Sequence, residues 1–258
     1  MNNNNPIGLF DSGIGGTSIW KAIHELMPNE NTIYLADSKN APYGKKSKEE
    51  IIELSKKNTE LLLELNCKII VVACNTATTN AIKELRATYN IPFIGIEPAI
   101  KPAAHNSKTQ TIGILATKGT LSSELFNKTV ALYQNTTIIE QIGHGLVELI
   151  ENGAIDSPEM DELLNSYITP MIKKNIDYLV LGCSHYPYLI PKIKKILPEN
   201  IQIIDSGEAV ARQTLAVLKD KIGLTSTNVG KNLFFTNGNP KVLSEILEKK
   251  YPVFERQF

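Results

Sequence analysis

Apolar positions fall along the chain in two alternating patterns. Short, nearly continuous apolar runs occur at Pro6 to Phe10, Thr32 to Leu35, Lys68 to Ala73 and Ile91 to Ile96. Each has the length of a strand, and the run from Lys68 to Ala73 is of the kind buried on both faces of a parallel sheet. Between them lie longer stretches with helical spacing. One ends near Met27, one runs from Lys48 to Leu65 with Ile51, Ile52, Leu54, Leu61, Leu62 and Leu65 in a stripe, and one runs from Thr76 to Tyr89. Regular alternation of strand and helix predicts an α/β fold on a parallel sheet.

The pattern then restarts. Ile7-Gly8-Leu9-Phe10 is echoed by Ile112-Gly113-Ile114-Leu115, and Thr32-Ile33 by Thr137-Ile138, both at an offset of 105 residues. Ile69 to Cys74 is echoed by Tyr178 to Cys183 at 109, and Asn90-Ile91 by Asn200-Ile201 at 110. Any one echo is weak, because buried parallel strands resemble one another; four in order at nearly constant offset predict a duplication. The expectation is two similar parallel-sheet α/β domains related by pseudo-twofold symmetry, with the active site in the cleft between them. Residues 1–97 form the first and residues 98–206 the second. Residues 207–258, with a helical stretch from Glu208 to Lys221 and a strand from Leu233 to Thr236, are too few for a separate domain and are expected to pack back onto the first.

Composition narrows the function classes. Of 258 residues, 42% are hydrophobic and 21% charged, which fits a folded globular chain and not a disordered one. Lys+Arg and Asp+Glu are both 27, so the basic excess of a nucleic-acid-binding domain is missing and no nucleic-acid partner is expected. The N-terminal Met1-Asn2-Asn3-Asn4-Asn5 has neither the charge nor the apolar core of a secretory signal, and no apolar run approaches the ~20 residues of a membrane helix. Three widely spaced cysteines make no disulfide framework, which fits a cytoplasmic protein with reduced thiols.

Two of those thiols are candidate chemistry. Cys74 and Cys183 stand at equivalent places in the repeat, each at the C-terminal end of an apolar strand. Each is followed at once by polar groups, Asn75-Thr76 and Ser184-His185, whereas Cys67 precedes its strand and reads as a small buried hydrophobe. Ligands in open parallel sheets bind beyond the carboxyl ends of the strands, so facing halves would aim both thiols into one cleft. Zinc needs four ligands, usually in close pairs, and only Cys183-Ser184-His185 offers even a start; no metal site is expected. The Cys-x-x-Cys spacing of a redox pair is absent. Two like groups on opposite faces of a carbon suit inversion of a stereocentre: one removes a proton, the other returns one, and the roles swap in reverse. A thiol, with an ordinary pKa of about 8.5, is near enough to neutrality to serve as either. Gly13-Ile14-Gly15-Gly16 is followed by Ser18 where a dinucleotide fingerprint needs glycine, so these glycines are expected to let backbone approach a substrate.

Phe10-Asp11-Ser12-Gly13-Ile14-Gly15-Gly16, Ala41-Pro42-Tyr43-Gly44, Ala73-Cys74-Asn75-Thr76-Ala77 and Gly182-Cys183-Ser184-His185-Tyr186-Pro187 resemble, in order and spacing, the motifs of the glutamate racemase family. The resemblance spans essentially the whole chain. It implies cofactor-independent interconversion of L- and D-glutamate, supplying D-glutamate for peptidoglycan, usually by a homodimer. It implies Cys74 as the acid/base group on the D-glutamate side and Cys183 on the L-glutamate side, assisted by Asp11, His185 and Glu151. Ser184 stands where Thr is commoner, and Gly143-His144 where the family often has Cys-Pro. For the substrate, Asn75, Thr76 and Ser184 are expected at the α-carboxylate and Asp11 with Ser12 at the ammonium group. Thr117, the repeat counterpart of Ser12, is expected with Thr120 at a carboxylate or the amine, and Pro42, Tyr43 and Gly44 in a loop at the site. A racemase for aspartate or a hydantoin, and a non-catalytic amino-acid-binding protein, are the alternative readings.

Overall fold

A computed structural model of the chain describes residues 3–226 and 229–258. Among these residues, ten strands form two wholly parallel sheets. The first contains β1 (Ile7–Asp11), β2 (Thr32–Ala36), β3 (Ile69–Val72), β4 (Phe93–Gly95), β9 (Asn232–Thr236) and β10 (Val253–Glu255), in the order β10-β9-β2-β1-β3-β4. The second contains β5 (Thr111–Ala116), β6 (Thr137–Ile142), β7 (Tyr178–Gly182) and β8 (Gln202–Ile204), in the order β6-β5-β7-β8. Strand order in the second sheet is thus that of β2-β1-β3-β4 in the first.

The repeat extends to register. Ile7 pairs with Ile69 and Ile112 with Tyr178, each residue facing the partner that its sequence echo predicts. Ile70 with Phe93 and Leu179 with Ile203 agree in the same way. At the β1–β2 pair the echo slips by one residue, since Ile7 pairs with Thr32 but Ile112 with Ile138.

Element ends differ from expectation for local reasons. The first strand runs one residue further, so Asp11 closes it instead of opening the following turn. The fourth shortens to Phe93–Gly95 behind Pro92, which has no N–H to offer a ladder. Helix α1 spans Thr17–Leu26, α2 Lys48–Glu64 and α3 Asn75–Thr88. Ser47 starts α2 with a full capping box, its side chain accepting from Glu50 N and Glu50 returning to Ser47 N. The predicted helix Glu208 to Lys221 is Gly207–Val217 followed by a wider π-type turn, Leu218–Ile222, and stops at Gly223, whose φ of 98° is costly for a residue with a Cβ. β10 has three residues behind Pro252, too short to stand out as a pattern. Because β9 pairs with β2, the C-terminal segment returns to the first sheet.

Apolar side chains of both sheets merge. One buried cluster runs from Leu9, Val71 and Trp20 on the first lobe through Leu146 and Ile150 to Leu164 and Leu181 on the second. At the amino-terminal end of the first sheet, the lysine that opens the third apolar run is itself fully buried. Lys68 Nζ meets Glu30 Oε2 at 2.6 Å and donates to the Asn3 carbonyl at 2.5 Å, while Glu30 Oε1 accepts from Thr225 N at 2.8 Å. Removing one partner strands the other charge in a low-dielectric interior. Lys68→Met is therefore expected to cost about 3–5 kcal/mol in urea unfolding, and Lys68→Met with Glu30→Leu clearly less; equal losses in the two proteins would contradict this account.

Candidate active site

Carboxyl ends of the parallel strands carry the candidate residues. Asp11 ends β1, Cys74 lies two residues past β3, Thr117 directly follows β5, and Cys183 directly follows β7. Ser12, Pro42, Tyr43, Gly44, Cys74, Asn75, Thr76, Thr117, Cys183, Ser184 and His185 wall one enclosed cavity. It holds about 10 Å³ of free space, roughly one water, so this is a closed form. Asp11, Thr120 and Glu151 stand behind that wall, each bonded to a residue in it. Val147 also lines the cavity, an apolar helix position that nothing in the sequence distinguishes. The peptide bond before Pro42 is cis.

The two thiols have unlike surroundings. Cys74 caps α3: its Sγ accepts from Ala77 N at 3.4 Å and lies 3.7 Å from Ser12 Oγ. Burial, reinforced by the nearby Asp11 charge, pushes this thiol well above its ordinary range, against the Ala77 and Ser12 bonds. Cys183 Sγ lies 3.8 Å from His185 Nδ1, whose other ring nitrogen meets Glu151 Oε1 at 2.6 Å. Gly15 N also points at Nε2 from 3.3 Å, but one nitrogen cannot donate to the carboxylate and accept from Gly15 together. The short contact to a charged acceptor wins and puts the proton on Nε2, leaving Nδ1 to exchange a proton with Cys183. Burial opposes a charged imidazole, yet the bonds to Cys183 and Glu151 and the charge of Asp11 outweigh it and raise His185 well above its ordinary value. Asp11 is raised by burial, partly countered by His185, and bonds Gly16 N at 2.9 Å and the Ser184 hydroxyl at 3.1 Å.

Polar groups without chemistry of their own complete the wall. Asn75 is 2% exposed, and neither its Oδ1 nor its Nδ2 has a partner. Leaving both ends of a buried amide unpaired is costly, so this side chain is set to meet a polar ligand. The Thr76 hydroxyl meets those of Thr117 and Thr120, on the other lobe, at 2.8 and 3.2 Å, and Thr117 donates to Thr120 at 3.1 Å. Tyr43 gives its hydroxyl proton to Asp37 Oδ2 at 2.5 Å, and Asp37 Oδ1 accepts from Asn40 and Asn237 at 2.7 and 2.5 Å. Tyr43 therefore offers the cavity its ring and not its hydroxyl. Asp37, which anchors that loop, is not among the residues the sequence points to: Asn40 and Tyr43 belong to the loop itself, and Asn237 lies 200 positions away.

The glycine-rich turn differs from expectation. A Cβ at Gly13 would lie 1.9 Å from Glu151 Oε1, and one at Gly15 2.2 Å from His185 Nδ1. These two glycines make room for side chains of the other lobe. Outside the cavity lies a larger hollow of about 380 Å³ that shares Pro42, Gly44, Thr117 and Val147 with it. Lys45 and Glu148 pair across this hollow at 2.5 Å. Among the described residues, no group of three or more His, Cys, Asp and Glu side chains is arranged to hold a metal, and no helix is long and apolar enough to cross a membrane.

Residues 7–214 match the profile of the Asp/Glu/Hydantoin racemase family. A glutamate racemase of Herpetosiphon aurantiacus is 42% identical over 93% of this chain and 96% of its own length, and one of Ralstonia pickettii 47% identical over 80% and 74%. Among solved structures, a glutamate racemase isoform of Bacillus anthracis superposes with a TM-score of 0.89 at 31% identity, covering 99% of this chain and 98% of that one. The Escherichia coli glutamate racemase, solved with L-glutamate and the activator UDP-MurNAc-ala, superposes with a TM-score of 0.87 at 31% identity over 97% of each chain. By sequence and by fold, the chain belongs to the Asp/Glu/Hydantoin racemase family and, within it, to the glutamate racemases.

Proposed function

We propose that the protein interconverts L- and D-glutamate by proton transfer at the α-carbon, with Cys74 and Cys183 as the two acid/base groups. The observation that carries this reading is the pair of thiols, from the ends of β3 and β7, lining one closed cavity. With L-glutamate, the Cys183 thiolate takes the α-proton and the bonding pair stays on the α-carbon and its carboxylate. The Cys74 thiol then delivers its proton to the opposite face. Cys183 ends as thiol and Cys74 as thiolate, the state that D-glutamate needs for the reverse reaction. His185 takes the Cys183 proton on Nδ1 beforehand and holds the thiolate by charge.

The closed cavity does not admit an amino acid, so Pro42, Gly44, Thr117 and Val147 part for entry from the outer hollow. Inside, the unpartnered Asn75 amide suits the α-carboxylate, as does the Ser184 hydroxyl once it turns from Asp11, and the carboxylate so released suits, with Ser12, the ammonium group. The Thr76, Thr117 and Thr120 hydroxyls suit a carboxylate. Water exclusion strengthens each of these contacts as carbanion character develops. One chain supplies every group named here, so the homodimer that the resemblance implies adds none of them. D-Glutamate made in the cytoplasm would serve peptidoglycan synthesis. Glutamate is favoured over aspartate because the relatives named above are glutamate racemases.

In D2O, with no added cofactor, either enantiomer of glutamate is expected to lose optical rotation while gaining α-deuterium; saturable binding with neither change would overturn the reading. Cys74→Ala and Cys183→Ala are each expected to lower turnover about a hundred- to ten-thousandfold, the worth of a general acid or base, in steady-state assays run in both directions. Asn75→Leu is expected to lower kcat/KM about ten- to a hundredfold, as for a lost hydrogen bond to a charged ligand.

Stability should carry the His185 signature. Below about pH 6.5 the imidazole is charged in both folded and unfolded chains, and its ion pair contributes fully. As pH rises toward the elevated folded value, only the folded protein still holds that proton, and the contribution is lost. Urea unfolding from about pH 6 upward should therefore show the difference between wild type and His185→Asn shrinking; a difference that grows with pH would contradict the charged assignment.

A further inference from the structure

Glu151 ends the helix Leu146–Glu151 of the second lobe, yet two of its three partners belong to the first. Oε1 accepts from Ile14 N at 2.7 Å, in the loop after β1, and meets His185 Nε2 at 2.6 Å. Oε2 accepts from Ser38 Oγ at 2.9 Å, two residues past the end of β2. A carboxylate held at both oxygens cannot rotate about its terminal bond. The wall at Gly13, where a single added carbon would sit 1.9 Å from Oε1, prevents a shift toward that side. The hydroxyl of Ser38 holds the opposite oxygen.

Resting on the racemase reading above, we propose that Ser38 is a positioning residue of the Cys183 proton relay. By donating to Glu151 Oε2 it ties the carboxylate to the first lobe and directs Oε1 at His185, so that the relay is complete only when the two lobes are closed. Ser38 touches neither thiol nor the cavity. Its effect reaches Cys183 through Glu151 and His185. Cys74, whose polar neighbours are Ser12 and Ala77 N, has no equivalent chain. The consequence is one-sided: losing the Ser38 hydroxyl hinders proton transfer at Cys183 and leaves that at Cys74 alone.

One-sidedness gives the test. Enantiomers have equal free energy, so kcat/KM stays equal in the two directions in every variant and cannot tell which face is hindered, whereas isotope effects can. Ser38→Ala, assayed with α-deuterated L- and D-glutamate, is expected to lose about five- to tenfold in turnover, as for a partly exposed bond to a charged group. Its primary isotope effect should rise with the L-substrate, whose deuteron Cys183 removes. It should fall with the D-substrate, for which cleavage at Cys74 becomes less limiting. Ser38→Thr, which keeps the donor, should restore the wild-type ratio of the two effects. Wild-type turnover in Ser38→Ala, or a loss of turnover with both isotope effects unmoved, would overturn the proposal while leaving the racemase reading intact. Unmodified protein runs alongside, and its failure to exchange the α-proton would overturn racemisation itself, and the role of Ser38 with it.

Discussion

An imidazole and a carboxylate brought together away from water organise this molecule. His185 is 1% exposed and meets Glu151 at 2.6 Å; neither group is tolerated there without the other and without further bonds to their remaining polar atoms. Meeting that demand draws in backbone from the opposite lobe. Ile14 N reaches Glu151, the glycines at 13 and 15 leave space for both side chains, and Asp11 adds a negative charge that favours the imidazolium. The closed arrangement of the lobes and the electrostatics of Cys183 are therefore one problem with one solution.

The repeated strand order supplies the frame and not the dressing. Matching strand order and register bring two cysteines to equivalent strand ends. Around them the residues diverge: a helix cap and a serine at Cys74, a histidine and a carboxylate at Cys183. Such inequality is compatible with interconverting mirror-image substrates, because their equal free energies constrain the whole cycle and not each half of it.

Much of this was legible in the sequence. Apolar runs located nine of the ten strands or their echoes, because a strand buried on both faces leaves little choice of residue. Cys74 and Cys183 stood out because polar groups follow each at once. Features that stayed hidden depend on contacts across long separations. Ser38 meets Glu151 across 113 positions, and Asn237 meets Asp37 across 200. No local pattern marks such pairs. The glycine turn reads as room for a substrate because sequence alone reveals that space is needed, not what fills it.

The hydroxyls of Thr76, Thr117 and Thr120 bond one another at the closed cavity. On the function proposed above, an arriving carboxylate would replace bonds that already exist, an exchange near balance, whereas at Asn75 it would satisfy an amide that has none. Holding the ground state only moderately well is an advantage to a catalyst: interaction free energy not released on binding remains for the moment when charge builds on the α-carboxylate. On that reading, a self-satisfied trio of threonines would act as a standing competitor to the substrate, keeping occupancy responsive to its concentration.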